Sequence, residues 1–466
     1  MGLWPHQENT INKAMNHEGF GIFTEMATGK TLSAIHVIKR MQAQSVLIVC
    51  PKSVIQVWPY EFEKHGFTQY KILTLDKGTV AKKAQVAKQF IEGHTHTKEP
   101  FVIVINYESI WRPPLGPVYN KANQLINAGL FLKTSWDCIV SDECHRISAP
   151  GSKVSFFMKR LGTKAKKRLG LTGTPLNGSP LSIYGQYRFL DPTVFGTSFH
   201  RFKMRYALYG GYQNHEIIDY INMDEFKMKL ESISDRVRTQ DVVDLPDRMF
   251  EIRTCQLCKS AQKIYNDLSK NFILEVSEGK LTTTTALTKL LRLQQLTGGS
   301  LPLDDGKYIE ADDSKLNLLK DILIDFDTHE PVVIFCRFTK DIERVKKLCE
   351  SKPLKRNVAE LSGQMNQLQE WQNGKFDVLV VQIRAGGVGI DLTRSRYAIY
   401  YSMGYSLTDY EQSLARIHRP NQTRTTAYYT LIAENTIDMR VYMALKNKKK
   451  VVDDIIDSVQ KGIDLI

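Results

Sequence analysis

Six short apolar runs constrain the fold of this chain more than any other feature. Val46-Leu-Ile-Val-Cys50, Phe101-Val-Ile-Val-Ile105 and Cys138-Ile-Val140 lie in the first third, and Val332–Phe335, Val378–Val381 and Ala398–Tyr401 in the last. None alternates with polar residues, as a strand with one wet face would. A strand that is apolar on both sides must be covered on both, which calls for parallel strands with helices above and below. Amphipathic helical patterns such as Lys340–Ser351 and Thr408–His418 supply such cover. The fold class is therefore α/β. The strands cluster before about Gly178 and after about Pro331, and the stretch between is richer in helix-formers and charge. The expected division is residues 1–245, with a short helical insertion at about 190–240, then a helical linker or protrusion over 246–330, then residues 331–466.

Composition narrows the function. At 42% hydrophobic and 24% charged residues the chain is neither disordered nor fibrous. Lys and Arg number 63 against 50 acids, and the resulting +13 favours a polyanionic partner, nucleic acid first. No run approaches the ~18 apolar residues of a membrane span, so no membrane partner is expected. The start, Met1 to Gln7, lacks the basic-then-apolar order of a secretory leader. Seven scattered cysteines suit a reducing compartment. Cys255 and Cys258 have metal-ligand spacing but no matching second pair, so no zinc site is expected.

Five segments carry chemistry. Thr24-Glu-Met-Ala-Thr-Gly-Lys-Thr31 follows the strand-like Phe20–Phe23 and opens a helix from Leu32. Backbone N–H groups at such a junction can cradle phosphates, with Lys30 reaching the β- and γ-phosphates and Thr31 binding Mg²⁺. A chance Gly-Lys-Thr at a helix start is the alternative. Asp137-Cys-Ile-Val-Ser-Asp-Glu-Cys-His145 delivers two adjacent carboxylates to a strand's C-terminal end, where α/β sheets bind ligands. Asp142 is placed to hold Mg²⁺ and Glu143 to orient or deprotonate a water. Leu171-Thr-Gly-Thr-Pro-Leu-Asn177 suits a nucleotide-sensing hinge, or an ordinary turn. Arg384-Ala-Gly-Gly-Val-Gly-Ile-Asp-Leu-Thr393 permits close backbone approach to a ligand. Arg416 and Arg419 are three apart on a predicted helix and so share one face. They can act as arginine fingers on a transferring phosphoryl group, or form a solvated basic face.

Together and in this order, these segments resemble superfamily 2 helicases, and within them the SNF2-type DNA translocases. Leu3-Trp-Pro-His-Gln7, Val49-Cys-Pro51, Asn106-Tyr-Glu108, Ser141-Asp-Glu-Cys-His145, Arg236-Val-Arg-Thr239 and Leu245-Pro246 extend the likeness through the first half. Gln412 to Arg419, Thr436-Ile-Asp438 and Lys446 to Lys450 carry it to the end. The resemblance implies two RecA-like lobes with parallel sheets, joined by a mostly helical segment, with ATP and Mg²⁺ between them. It implies catalytic roles for Lys30, Asp142, Glu143, Arg416 and Arg419. It places Gln7 on adenine, and Ala27, Thr28, Gly29, Lys30, Thr31, Gly389, Asp391 and Gln412 around the nucleotide. Val49-Cys-Pro51 and Asn106-Tyr-Glu108 look like strand-binding motifs. Lys52, Ser53, Thr172 and Thr393 become candidate DNA contacts, and tracking is expected 3′ to 5′.

Ala27 stands where the family usually has Gly, and the insert after Leu245 is short. The compact form looks like phage or bacterial members that process branched DNA. The expected partners are duplex or branched DNA and phage or bacterial replication and recombination proteins, in the cytoplasm of a bacterium or phage-infected cell. An RNA helicase, an ATP-switched DNA clamp and the motor subunit of a defence complex are the competing functions.

Overall fold

The computed structural model describes residues 2–460 except 27, 120–123, 212–215, 243, 278–282, 304–305 and 385–389. It divides into two compact units, 1–244 with 450–466, and 245–449.

The first unit is built on a seven-stranded sheet. Its strands in chain order are β1 (Gly19–Ile22), β2 (Ser45–Cys50), β3 (Lys71–Leu75), β4 (Phe101–Asn106), β5 (Trp136–Asp142), β6 (Ala165–Leu171) and β7 (Ser234–Asp235). Across the sheet they run β7-β1-β6-β5-β2-β4-β3, all parallel. The apolar runs account for this. Val46 to Cys50 and Val102 to Ile105 are fully buried, each large side chain contributing about 1.5–3 kcal/mol. Register then fixes what lies beyond the strands. Ile22 pairs with Leu171, and Leu171 with Asp142, so β1, β6 and β5 end level with one another. Cys50 pairs with Asn106 on the other half of the sheet. The segments that follow all emerge from one edge, the C-terminal edge where α/β sheets bind ligands.

The second unit holds a six-stranded sheet of β8 (Arg248–Cys255), β9 (Val332–Cys336), β10 (Val358–Leu361), β11 (Val378–Gln382), β12 (Tyr397–Tyr400) and β13 (Thr426–Ala433). The order is β8-β13-β12-β9-β11-β10, again all parallel. Two stretches differ from expectation. The segment from 246 opens with a strand, β8, rather than with helix. Its mixed sequence and exposed side chains are those of a sheet edge, paired to β13 on one side only. The insertion near 190–240 is not purely helical, because Ala207–Gly210 and Glu216–Tyr220 pair as an antiparallel hairpin.

A buried polar cluster anchors the intervening helices to the second sheet. Asp341, only 1% exposed, accepts from the Ser402 hydroxyl. The Lys315 ammonium pairs with Asp438, and Arg344 donates to the carbonyls of Gly298 and Asp312. Burial pushes the Asp341 carboxyl up to about 7, opposed by Ser402, Lys315 and Arg344.

Candidate nucleotide site

The loop after β1 joins it to helix α1 (Lys30–Arg40), which begins two residues before the expected Leu32. Gly29 precedes the helix at φ +81, a left-handed conformation that suits glycine. A Cβ there would lie 2.0 Å from the Gln7 amide nitrogen, so the missing side chain is also what admits Gln7. Gln7 accepts from the Trp4 backbone N–H at 2.9 Å and donates to the Thr28 carbonyl at 3.2 Å. It therefore stands beside the loop. Thr28 closes the loop on itself, its hydroxyl donating to the Glu25 carbonyl at 2.7 Å and lying 2.8 Å from the Thr24 hydroxyl, which can donate to it. Lys30 Nζ reaches the carbonyls of Thr24 and Glu25 at 2.9 and 2.8 Å. Thr31 is partly buried in the first turn of α1, where free N–H groups and the helix dipole favour anions. Ala27 lies outside the described residues.

The acidic pair sits beside this loop. Asp142 ends β5, and Glu143 follows at φ +53, a turn that separates the two carboxylates. Trp58 Nε1 donates to Asp142 Oδ2 at 3.1 Å. Tyr107 OH donates to the Asp142 carbonyl at 2.6 Å. Burial first, then the Glu143 charge, raises the Asp142 carboxyl above its ordinary range, and Lys30 and Trp58 act in the opposite sense. Two crowded carboxylates of this kind gain from a divalent cation, and hard oxygen donors suit Mg²⁺. The residues present therefore fit ATP and Mg²⁺.

Glu143 reaches a third segment. The Thr172 hydroxyl lies 3.4 Å from Glu143 Oε2, and His145 Nδ1 lies 3.2 Å from that oxygen and 3.0 Å from Thr172 Oγ1. The cluster joins the ends of β5 and β6. It also corrects an expectation. Thr172 is wholly buried, so its hydroxyl meets Glu143 and His145 and does not lie on a surface open to nucleic acid. Tyr107, expected within a strand-binding motif, is likewise buried and supports Asp142 from behind. The Arg236-Val-Arg-Thr239 segment adds a support that the sequence did not announce. Thr239 donates through its N–H to Glu25 Oε2 at 3.0 Å and through its hydroxyl to the Met26 carbonyl at 2.9 Å. Glu25 N–H donates to the Val237 carbonyl at 2.8 Å.

In the second unit, helix α2 (Leu407–Ile417) is capped by Ser406, whose hydroxyl accepts from the Asp409 N–H at 3.1 Å. Gln412 and Arg416 are buried on it. Arg419 lies beyond the helix end, because His418 is already extended at φ −92 and ψ 90. The shared helical face expected for Arg416 and Arg419 is therefore not formed. Instead Arg419 donates to the Ile390 carbonyl at 3.2 Å and lies 4.0 Å from Asp391. Asp391 Oδ1 accepts from both the N–H and the hydroxyl of Thr393, at 2.9 and 2.7 Å. Leu392 N–H donates to the Arg416 carbonyl at 3.0 Å. Residues 390–393 and both arginines thus form one local group. Gly389 lies outside the described residues. Lys52 and Ser53 are exposed just past β2, and Thr393 is partly buried.

Residues 9–298 match the SNF2-related domain and residues 314–421 the helicase conserved C-terminal domain. The chain belongs to the SNF2-related family. This SNF2-related chain is a DNA-dependent ATPase of the helicase type, using ATP and binding DNA. It is 22% identical over 484 residues to protein p41 of Acyrthosiphon pisum secondary endosymbiont phage 1, covering 98% of each chain. It is 24% identical to an ATP-dependent helicase of Mycoplasma genitalium, of which it spans 40%. It is 22% identical to the DNA repair and recombination protein RAD54-like of Homo sapiens, of which it spans 67%. Among solved structures, the Sulfolobus solfataricus SWI2/SNF2 ATPase core in complex with dsDNA aligns over 98% of this SNF2-related chain and 93% of that one, at 22% identity and a TM-score of 0.43. Among the described residues, no helix is long and apolar enough to cross a membrane.

Proposed function

We propose that this chain is an ATP-driven translocase on duplex or branched DNA. One observation carries the reading. The loop bearing Lys30 and the Asp142–Glu143 pair leave the same sheet edge in register, and Thr172 and His145 tie Glu143 to a third segment of that edge. Such an edge can hold a triphosphate and report its state.

In this reading Gln7 contacts the base, and Gly29, Lys30 and the first N–H groups of α1 hold the phosphates. Thr31 and Asp142 would hold Mg²⁺, which when bound neutralises charge on the phosphate oxygens. Glu143 orients the attacking water and accepts its proton as the bond to the leaving ADP oxygen breaks. Arg416 and Arg419 act on the transferred phosphoryl group, a contribution of about 10³–10⁵ in rate for fingers of this kind. Asp391, which lies 4.0 Å from Arg419, and Gln412 complete the nucleotide-binding set from the second unit. Lys52, Ser53 and Thr393 contact the DNA backbone, which suits a motor that must not read sequence. The full-length match to a phage protein and the likeness to proteins named for repair and recombination support work on replication or recombination intermediates, in a bacterial or phage-infected cytoplasm.

The test is ATP turnover on forks, four-way junctions, plain duplex and single strands. Branched or duplex DNA should stimulate turnover most. Stimulation by single-stranded RNA alone would contradict the proposal.

A further inference from the structure

Strand β8 is the outermost strand of the second sheet, and among the described residues only β13 pairs with it. That pairing runs in unbroken register from Arg248 to Cys255. The other edge is open. Met249 is 60% exposed, Phe250 54% and Ile252 41%, so three large apolar side chains stand in water along one strand. The backbone shows which groups are free. The carbonyls of Asp247 and Cys255 accept from the N–H groups of Thr426 and Glu434, at 3.0 and 2.9 Å. Successive residues of a strand turn their backbone groups to opposite sides, so residues 249, 251 and 253 also face β13. Arg248, Phe250, Ile252 and Thr254 therefore turn their N–H and carbonyl groups outward. An open, partly apolar edge of this length is a template for a further strand.

The side chains select the strand that fits. Glu251 and Arg253 share one face and pair within the chain at 2.6 Å. Opposite charges two residues apart make a strand complementary to its own reverse. In an antiparallel pair of two such strands, outward-facing residues must meet outward-facing residues. With Glu251 on the two-fold axis, two carboxylates would face each other, and with Arg253 there, two guanidiniums. With Phe250 on the axis only 248–252 would overlap, and Glu251 would face Met249. With Ile252 on the axis 249–255 overlap, and Glu251 of each copy faces Arg253 of the other. These are non-hydrogen-bonded positions, where facing side chains come closest. On the opposite face the two Ile252 side chains meet, each with a Phe250 diagonal to it. Phe250 is already set by its stack on Tyr428, with ring centroids 5.1 Å apart.

We propose that β8 is a self-association edge, on which a second copy of this chain adds its own β8 antiparallel about Ile252 and joins the two sheets into one. The interface is isologous, so it closes at a dimer and leaves no further edge of this kind. Strand addition buries less than the ~800 Å² per partner of a standard interface, so the dimer is transient, with a Kd of about 10 μM. It needs neither ATP nor DNA and stands apart from the function proposed above.

The experiment is sedimentation of the nuclease-treated full chain from about 1 to 200 μM, a range that brackets such a Kd. The parent should pass from monomer to dimer. Glu251→Arg and Arg253→Glu each set like charges against one another across the axis, and each should raise Kd at least tenfold. An equal mixture of the two variants restores both opposite-charge pairs, so it should dimerise as the parent does. Mixing cannot repair damage within one chain, which separates pairing between copies from the ion pair within the strand. Ile252→Lys places two ammonium groups on the axis and should also raise Kd at least tenfold, and it decides the matter should a charge variant fail to melt as the parent does. A parent that stays monomeric throughout would overturn the proposal. So would single variants that dimerise as tightly as the parent, or a mixture that stays monomeric.

Discussion

Trp58 and Asp142, 84 residues apart in sequence, are joined by a 3.1 Å hydrogen bond from the indole N–H to the carboxylate. The bond favours the ionised form of Asp142 against its burial and fixes the direction of its oxygens. Trp58→Phe keeps an aromatic ring and loses the donor. ATP hydrolysis is expected to fall about tenfold, the worth of one hydrogen bond to a charged group. Steady-state turnover at saturating Mg²⁺ checks it, and unchanged turnover would remove Trp58 from the site.

Gly29 carries two constraints, its left-handed φ and its contact with Gln7. Gly29→Ala should weaken ATP binding about tenfold, since the left-handed region costs an alanine about 1–2 kcal/mol. In the Gln7→Ala, Gly29→Ala double variant the steric part is relieved, so the melting temperature should partly recover. Nucleotide affinity should not. Calorimetric titration with a non-hydrolysable ATP analogue and thermal melts separate the two effects.

Thr172 tests the link between segments. Thr172→Val keeps the shape and removes the hydroxyl's bonds with Glu143 and His145, along with the 3.1 Å bond that Thr172 Oγ1 accepts from the Thr174 N–H. The turnover rate should drop about tenfold while KM for ATP stays close to that of the parent. A rise in KM with unchanged turnover would place Thr172 in binding instead.

The sheets were legible in the sequence because buried parallel strands have to be continuously apolar, as Val46–Cys50 and Val332–Phe335 are. The strand Arg248–Cys255 was not, because an edge strand is covered on one side only and its mixed residues carry no such mark. The loop bearing Lys30 and the Asp142–Glu143 pair could be read because each lies within a short segment. The contacts of Trp58, Tyr107 and Thr239 could not, because sheet register brings them in from 84, 35 and more than 200 residues away. Arg419 was misplaced for a local reason. The spacing suits a helix, but the helix stops at Ile417.

Asp341 makes stability depend on pH. Its folded carboxyl titrates at about 7, against about 3.9 when unfolded. Between those values the folded chain holds a proton that the unfolded chain has released, so this group lowers stability as pH rises through about 4 to 7. Asp341→Asn removes the effect. Its melting temperature should exceed that of the parent by more at about pH 8 than at about pH 5, where less of the cost is present. An equal difference at both would contradict the assignment.

The central claim is that ATP turnover at Lys30 and the Asp142–Glu143 pair moves this chain along DNA. Displacement of a third strand from a triplex reads that movement directly. The parent chain should release the third strand with ATP and not with a non-hydrolysable analogue, and Lys30→Ala should release none. Full ATP turnover and DNA binding by the parent with no displacement, or displacement by Lys30→Ala, would contradict the account.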